Sequence, residues 1–290
     1  GVAVVGSHLL FKSGVDGKEL AKEILTDLNC GVTPTFETSL VDACEFYIAV
    51  NASTRNGLET LIQNRLSGLQ PTLGHYLATT FSWRAVVTTN YNTVLEDTWR
   101  KAEAQGFQAC DLLPIRTDRE LLQEETYQGQ IRLYKPHGCI TLAASHHAPM
   151  VLTSEDYFNS KQSRAKIFEA IKELAQEHIT LFVGYSLNDF TFRNLFYDLY
   201  SELGKSAKRL FSVLPDNDEL RFEWDAIAKQ KFFNTTLIND YFDTFMLRLV
   251  KVNGKLHRIL KLEIQQAWPT LEQLYPHSMS MLEIEDFMSL

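Results

Sequence analysis

Short apolar runs alternate with helical stripes of hydrophobic residues over the first 215 positions of the chain. Five runs rich in β-branched and aromatic residues predict strands, and each runs into a glycine, a proline or a polar turn. They cover residues 2–5, 85–92, 132–137, 178–186 and 209–215. Near-continuous apolar strands separated by helices are typical of a parallel sheet that is covered on both faces. The pattern therefore predicts an α/β fold.

Hydrophobic residues at helical spacing predict the segments that connect the strands. Two such stripes lie between the first two strands, so residues 17–82 are expected to form a mainly helical insertion. Residues 216–290 carry further stripes and no glycine-rich turn between strand and helix. We therefore expect one domain over residues 1–215, followed by a C-terminal helical appendage over 216–290 that serves packing, oligomerisation or contact with a partner.

The composition narrows the class of protein. With 290 residues, of which 45% are hydrophobic, the chain can fill a large core. A net charge of −8 without a lysine or arginine run argues against a nucleic-acid surface. No apolar stretch approaches the roughly 18 to 20 residues that span a bilayer, and no leader-like segment opens the chain. We expect a cytoplasmic protein that contacts neither membrane nor nucleic acid.

The cysteines and histidines do not predict a metal site. The four cysteines are scattered and form no C-x-x-C pair, which favours reduced, buried thiols over a zinc ribbon or a disulfide scaffold. They are Cys30, Cys44, Cys110 and Cys139. The neighbouring pair His146 and His147 has no partner at ligand spacing.

Glycines and polar residues follow the predicted strand ends, where parallel sheets bind ligands. One of them is a histidine between a proline and a glycine, and a histidine in such a turn is often only a surface residue. The set comprises Gly6, Ser7, Asn90, His137, Gly184 and Ser186.

Three segments in this order resemble the sirtuin-like superfamily, and most closely the sirtuin-like domains of prokaryotic antiphage defence. They are VVTTNYNTVLEDTW, LYKPHGCI and LFVGYSLNDFTFR, and the resemblance covers residues 1–215. It implies a Rossmann-like fold that binds NAD and cleaves the bond between nicotinamide and ribose. In many defence members NAD is simply hydrolysed, and its depletion stops the infected cell in an abortive infection.

The resemblance assigns catalytic roles to Asn90 and His137. Cleavage of the glycosidic bond builds positive charge on the ribose, and a neutral amide such as that of Asn90 can orient water without adding a charge. A histidine can accept a proton from that water or from a ribose hydroxyl. His137 matches the histidine of the family and is expected to be the general base.

The remaining predictions concern NAD binding. Gly184 and Ser186 match the turn beside the adenosine half of NAD, and Thr89 and Asp189 are counted with them as cofactor-binding residues. An ordinary turn from strand to helix, with Asp189 near the helix start, is the alternative for this segment.

Two further predicted NAD-binding positions depart from the family pattern. The first loop reads Gly6, Ser7, His8, so a side chain stands where the family has its second glycine. His8 would either crowd the phosphates or, when protonated, contact them. Asn92 stands where the family usually has an aspartate.

These residues favour a hydrolase that cleaves NAD, needs no metal and works as a homo-oligomer or with other defence proteins or domains. The departures at His8 and Asn92 favour a degenerate sirtuin-like module that binds a nucleotide or mediates assembly. An NAD-dependent protein deacylase is the third hypothesis, and the absence of the four-cysteine zinc module of the deacetylases argues against it.

Overall fold

The computed structural model describes residues 2–5, 17–27, 39–50, 54–104, 109–123, 125–143, 149–185, 190–215 and 234–252. Seven strands lie in these ranges: β1 (Val2–Val5), β2 (Ala85–Thr88), β3 (Asp111–Ile115), β4 (Gln130–Tyr134), β5 (Thr180–Val183), β6 (Leu210–Leu214) and β7 (Thr235–Asn239). They form one sheet in the order β3-β4-β2-β1-β5-β6-β7, and every neighbouring pair is parallel. The predicted α/β class with a Rossmann-like parallel sheet is confirmed.

Ten α-helices lie in the described part of the chain. They are α1 (Gly17–Asp27), α2 (Leu40–Ala49), α3 (Arg55–Leu66), α4 (Leu73–Thr79), α5 (Val94–Ala104), α6 (Asp118–Gln123), α7 (Ser154–Ser163), α8 (Ala165–Glu177), α9 (Phe190–Leu203) and α10 (Phe242–Val252). Short 3₁₀ turns occur at Ile140–Leu142 and Gly204–Ser206. The first four helices separate β1 from β2, as the predicted helical insertion requires. Among the described helices, none is long and apolar enough to cross a membrane.

Helices cover both faces of the sheet. Successive side chains of a strand point to opposite faces, so each strand contacts both helical layers. On one face, Val87 and Phe182 pack with residues of α8 and α9. On the other face, Val86 and Val183 pack with residues of α4, α5 and α10. All four strand residues are buried, which is why these strands carry apolar side chains at consecutive positions.

A third core lies where the chain leaves the sheet. Helices α1, α2 and α3 pack together, and their buried side chains also contact Tyr91, Cys139, Ile140, Met150 and Leu152. Those five residues belong to the segments that follow β2 and β4. The helical insertion is therefore packed directly on the loops that carry the predicted catalytic residues.

Two strands depart from the sequence-based expectation. β3 contains Pro114, which has no backbone N–H, and the strand lies at one end of the sheet order, where that loss is tolerated. β7 lies in the range expected to be a helical appendage, yet it pairs with β6, from Thr235 opposite Leu210 to Asn239 opposite Leu214. Its side chains are only partly buried, so it lacks the apolar run that identified the other strands. The domain boundary at residue 215 stays a prediction.

Candidate active site

The segments after β2 and β4 leave the sheet side by side. The two strands are parallel neighbours, and Val87 lies opposite Tyr134. Asn90 and His137 lie equally far beyond that pair along their own strands. The two predicted catalytic residues therefore follow neighbouring strands at the same carboxyl edge of the sheet, where ligands bind in folds of this type.

His137 lies in a tight turn and is held from two sides. Its side chain is buried, with 3% of the residue exposed. The backbone carbonyl accepts a hydrogen bond from the Val151 amide at 2.9 Å. The imidazole meets the ring of the half-buried Tyr157 edge to face, with the ring centroids 5.2 Å apart. The turn and the ring contact thereby restrict the orientations open to the imidazole.

Glycine is required in the turn beside His137. Gly138 has a φ of +86°, in the left-handed region, and its amide donates to the Lys135 carbonyl at 3.0 Å. A Cβ at this position would lie 3.1 Å from the Pro149 carbonyl oxygen. The buried guanidinium of Arg164 donates to the carbonyls of Pro136 at 2.9 Å and Pro149 at 2.6 Å, and burial lowers its pKa. These bonds close the turn around the histidine.

The Asn90 segment is ordered by local hydrogen bonds. Asn90 is half-buried, and its backbone N–H donates to the Thr88 hydroxyl at 3.2 Å. Asn92 is buried, with 6% exposed, and its side-chain oxygen accepts from the Val94 amide at 3.2 Å at the start of α5. This bond forms an Asx turn just before the helix, which an aspartate at the same position could also provide. The roles of Thr89, Asn90 and Asn92 toward NAD stay predictions.

Tyr91 joins the Asn90 segment to the His137 turn. Its backbone carbonyl accepts from the Ile140 amide at 2.9 Å, and its hydroxyl donates to the Val151 carbonyl at 2.5 Å. Val151 is the residue whose amide binds the His137 carbonyl. Because Tyr91 directly follows Asn90, the two site segments share one hydrogen-bonded support.

The helical insertion fastens this support from outside the sheet. Arg55 on α3 donates to the Met150 carbonyl and forms an ion pair with Asp156 at 2.5 Å. Burial alone would raise the pKa of Asp156, but bonds from Arg55 and from the amides of Leu152 and Thr153 lower it. This carboxylate thus ties the insertion to the segment that contacts His137.

Lys135 and Tyr157 are site residues that sequence reasoning missed. The Lys135 side chain is fully buried, and its Nζ donates to the Asn92 carbonyl and to Glu96 Oε1 at 2.8 Å. A lysine before a proline carries no sequence signal for such a position, since lysines are almost always solvent-exposed. Tyr157 belongs to α7, which the sequence pattern did not single out.

Gly184 directly follows β5, the strand that pairs with β1 on the side opposite to β2. It directly follows Val183, which pairs with Val5, and its φ of +55° favours glycine. The next residue, Tyr185, is buried and packs on Phe182 with ring centroids 5.7 Å apart, so it supports the core. The other predicted binding residues lie outside the described residues: Gly6, Ser7, His8, Ser186 and Asp189.

An imidazole can transfer a proton, and a neutral amide can orient a water molecule. His137 offers an imidazole and Asn90 a neutral amide, and the two residues lie in the segments that follow two adjacent strands. Within the described residues, no group of three or more histidine, cysteine, aspartate or glutamate side chains is arranged to hold a metal ion.

Comparison with known families gives one match. A family model described as a SIR2-like domain matches residues 84–241, more than half of the chain. The matched range begins just before β2, ends after β7 and contains both Asn90 and His137. No curated protein matches the chain.

Proposed function

The chain belongs to the SIR2-like domain family, as its motifs predicted, and because this family suggests an activity on NAD, we propose that the chain is an NAD glycohydrolase. The reaction would convert NAD and water to nicotinamide and ADP-ribose. The observation that carries the proposal is that Asn90 and His137 follow the carboxyl ends of two neighbouring parallel strands. The proposed setting, antiphage defence by abortive infection, is supported by the motif resemblance alone.

The order of the described strands supports the binding of an extended dinucleotide at this edge of the sheet. β1 has β2 on one side and β5 on the other, so the strand order reverses at β1, where α/β sheets bind ligands. Thr89 and Asn90 are half-buried and follow β2, on one side of β1, and Gly184 follows β5, on the other side. Glycine has no Cβ, which lets a ligand approach the backbone closely.

His137 and Asn90 would divide the work of hydrolysis. Asn90 would orient the attacking water through its amide, and His137 would accept a proton from that water. As the oxygen of water bonds to the ribose carbon, the bond to nicotinamide breaks, and nicotinamide leaves with the bonding electrons as a neutral molecule. The near-complete burial of His137 limits the contact of the base with bulk water.

The test is to incubate the purified protein with NAD and measure nicotinamide and ADP-ribose by chromatography. We expect equal amounts of the two products. His137→Ala and Asn90→Ala should each lower the rate about 10² to 10⁴-fold, the usual cost of losing a positioned acid–base group. The matched control is His178→Ala, which should retain the rate of the parent. His178 precedes β5 and so lies at the end of that strand opposite to Gly184.

The same assay separates the alternatives. If both site variants cleave NAD as fast as the parent, the assignment of the two residues is wrong. Binding of NAD without release of nicotinamide would instead support a degenerate nucleotide-binding module, which the asparagine at position 92 also favours. Release of nicotinamide only when an acylated peptide is added would support the deacylase.

A further inference from the structure

We infer that Lys135 is a positioning residue that sets the distance between the Asn90 segment and the His137 turn. The inference rests on the proposed function, because it concerns the geometry of that site. Lys135 touches neither predicted catalytic side chain in the described contacts, and it would act through the backbone on either side of the site.

The side chain of Lys135 holds the Asn90 segment. It is fully buried beneath the loop, and its Nζ binds the backbone carbonyl of Asn92. The same Nζ lies 2.8 Å from Glu96 Oε1, on the first turn of α5. Glu96 thus holds the ammonium group in place, and the ammonium group holds the loop that carries Asn90.

The backbone of Lys135 belongs to the other half of the site. Its amide donates to the Ile115 carbonyl at 2.8 Å, which continues the pairing of β4 with β3. Its carbonyl accepts from the Gly138 amide at 3.0 Å and closes the turn around His137. One residue therefore connects both segments, through its side chain to the first and through its main chain to the second.

Stability alone does not account for a buried lysine at this position. Removing a lysine and a carboxylate from water is costly, and replacing a buried ion pair by apolar residues of similar size is often neutral or stabilising. An apolar side chain would, however, leave the Asn92 carbonyl without this donor. Small displacements of catalytic groups, of about 1 Å, can lower rates by about 10²-fold. The lysine is thus explained by the geometry it enforces.

The test compares Lys135→Met with the double variant Lys135→Met/Glu96→Leu. The single variant leaves Glu96 without its cation and should unfold at lower urea concentration than the parent. The double variant removes both charges and should recover that midpoint. We expect its kcat for NAD cleavage to stay lower by about 10 to 100-fold, with KM changed less than threefold. A double variant with the stability and kcat of the parent would overturn the inference.

Hydrogen exchange gives a readout that does not depend on catalysis. In the double variant, amides of residues 89–94 should exchange faster than in the parent, while those of β5 and β6 should exchange at the parent rate. If the parent protein releases no nicotinamide, the proposed function fails, and the exchange pattern still decides the positioning role. Unchanged exchange over 89–94 would refute that role whatever the activity.

Discussion

Lowering the pH should destabilise the protein through His75, a buried histidine on α4. Its Nδ1 accepts a hydrogen bond from the Thr72 amide at 3.1 Å, and its ring meets Phe242 of α10 edge to face. Burial lowers the pKa of His75 from 6.5 to about 4. Protonation of Nδ1 would also place an N–H against the backbone N–H of Thr72, so the folded state favours the neutral ring.

The sign and size of the effect follow from this pKa. Between pH 6.5 and 4 the unfolded chain takes up a proton at His75 that the folded protein does not, so stability falls as the pH falls. At 1.36 kcal/mol per pH unit, the free energy of unfolding should decrease by about 2 kcal/mol from pH 7 to pH 5 through this one group.

Urea unfolding at pH 7, 6 and 5 measures this loss. The comparison variant is His75→Asn, whose side-chain oxygen can still accept from the Thr72 amide but does not titrate. Its stability should fall less than that of the parent, by a difference of about 2 kcal/mol at pH 5. His178→Asn controls for the loss of a histidine outside the core. If His75→Asn loses as much stability as the parent over this range, the argument fails.

Two further predictions concern the His137 turn and assembly. Gly138→Ala should destabilise the protein by about 2 kcal/mol in urea unfolding, because alanine disfavours a positive φ and its Cβ would crowd the Pro149 carbonyl. Gly129→Ala should cost only about 1 kcal/mol, because its φ of +89° is equally unfavourable for alanine but no atom lies within 4 Å of the added Cβ. Equal losses in the two variants would contradict the crowding. The proposed oligomerisation predicts that NAD cleavage per chain rises with self-association, so sedimentation and activity measured over one concentration series should change together, and full activity in a persistent monomer would refute it.

The buried strands were the most predictable part of the fold. β2, β5 and β6 are covered on both faces, so their burial requires apolar side chains at consecutive positions. β3 was missed because Pro114 is compatible with a strand only at the end of a sheet, a position that sequence cannot reveal. β7 was missed because partly buried strands need few apolar residues.

The site was predictable only in part, for a related reason. Asn90 and His137 were identified because each follows an apolar strand within a recognisable motif. The burial of Lys135 depends on Glu96, which lies 39 residues earlier in the chain and reaches it only after β2 and β4 pair. Contacts between segments so far apart leave no local pattern.

The central position of β1 has a consequence for how the protein is made. Val2 pairs with Ala85 on one side and with Thr180 on the other, so the second neighbour emerges from the ribosome long after the strand itself. Such non-local pairing delays folding, because a long loop must close before any contact forms. Until β5 is synthesised, β1 would expose an unpaired edge beside β2, and this nascent species is where we expect chaperones to be needed.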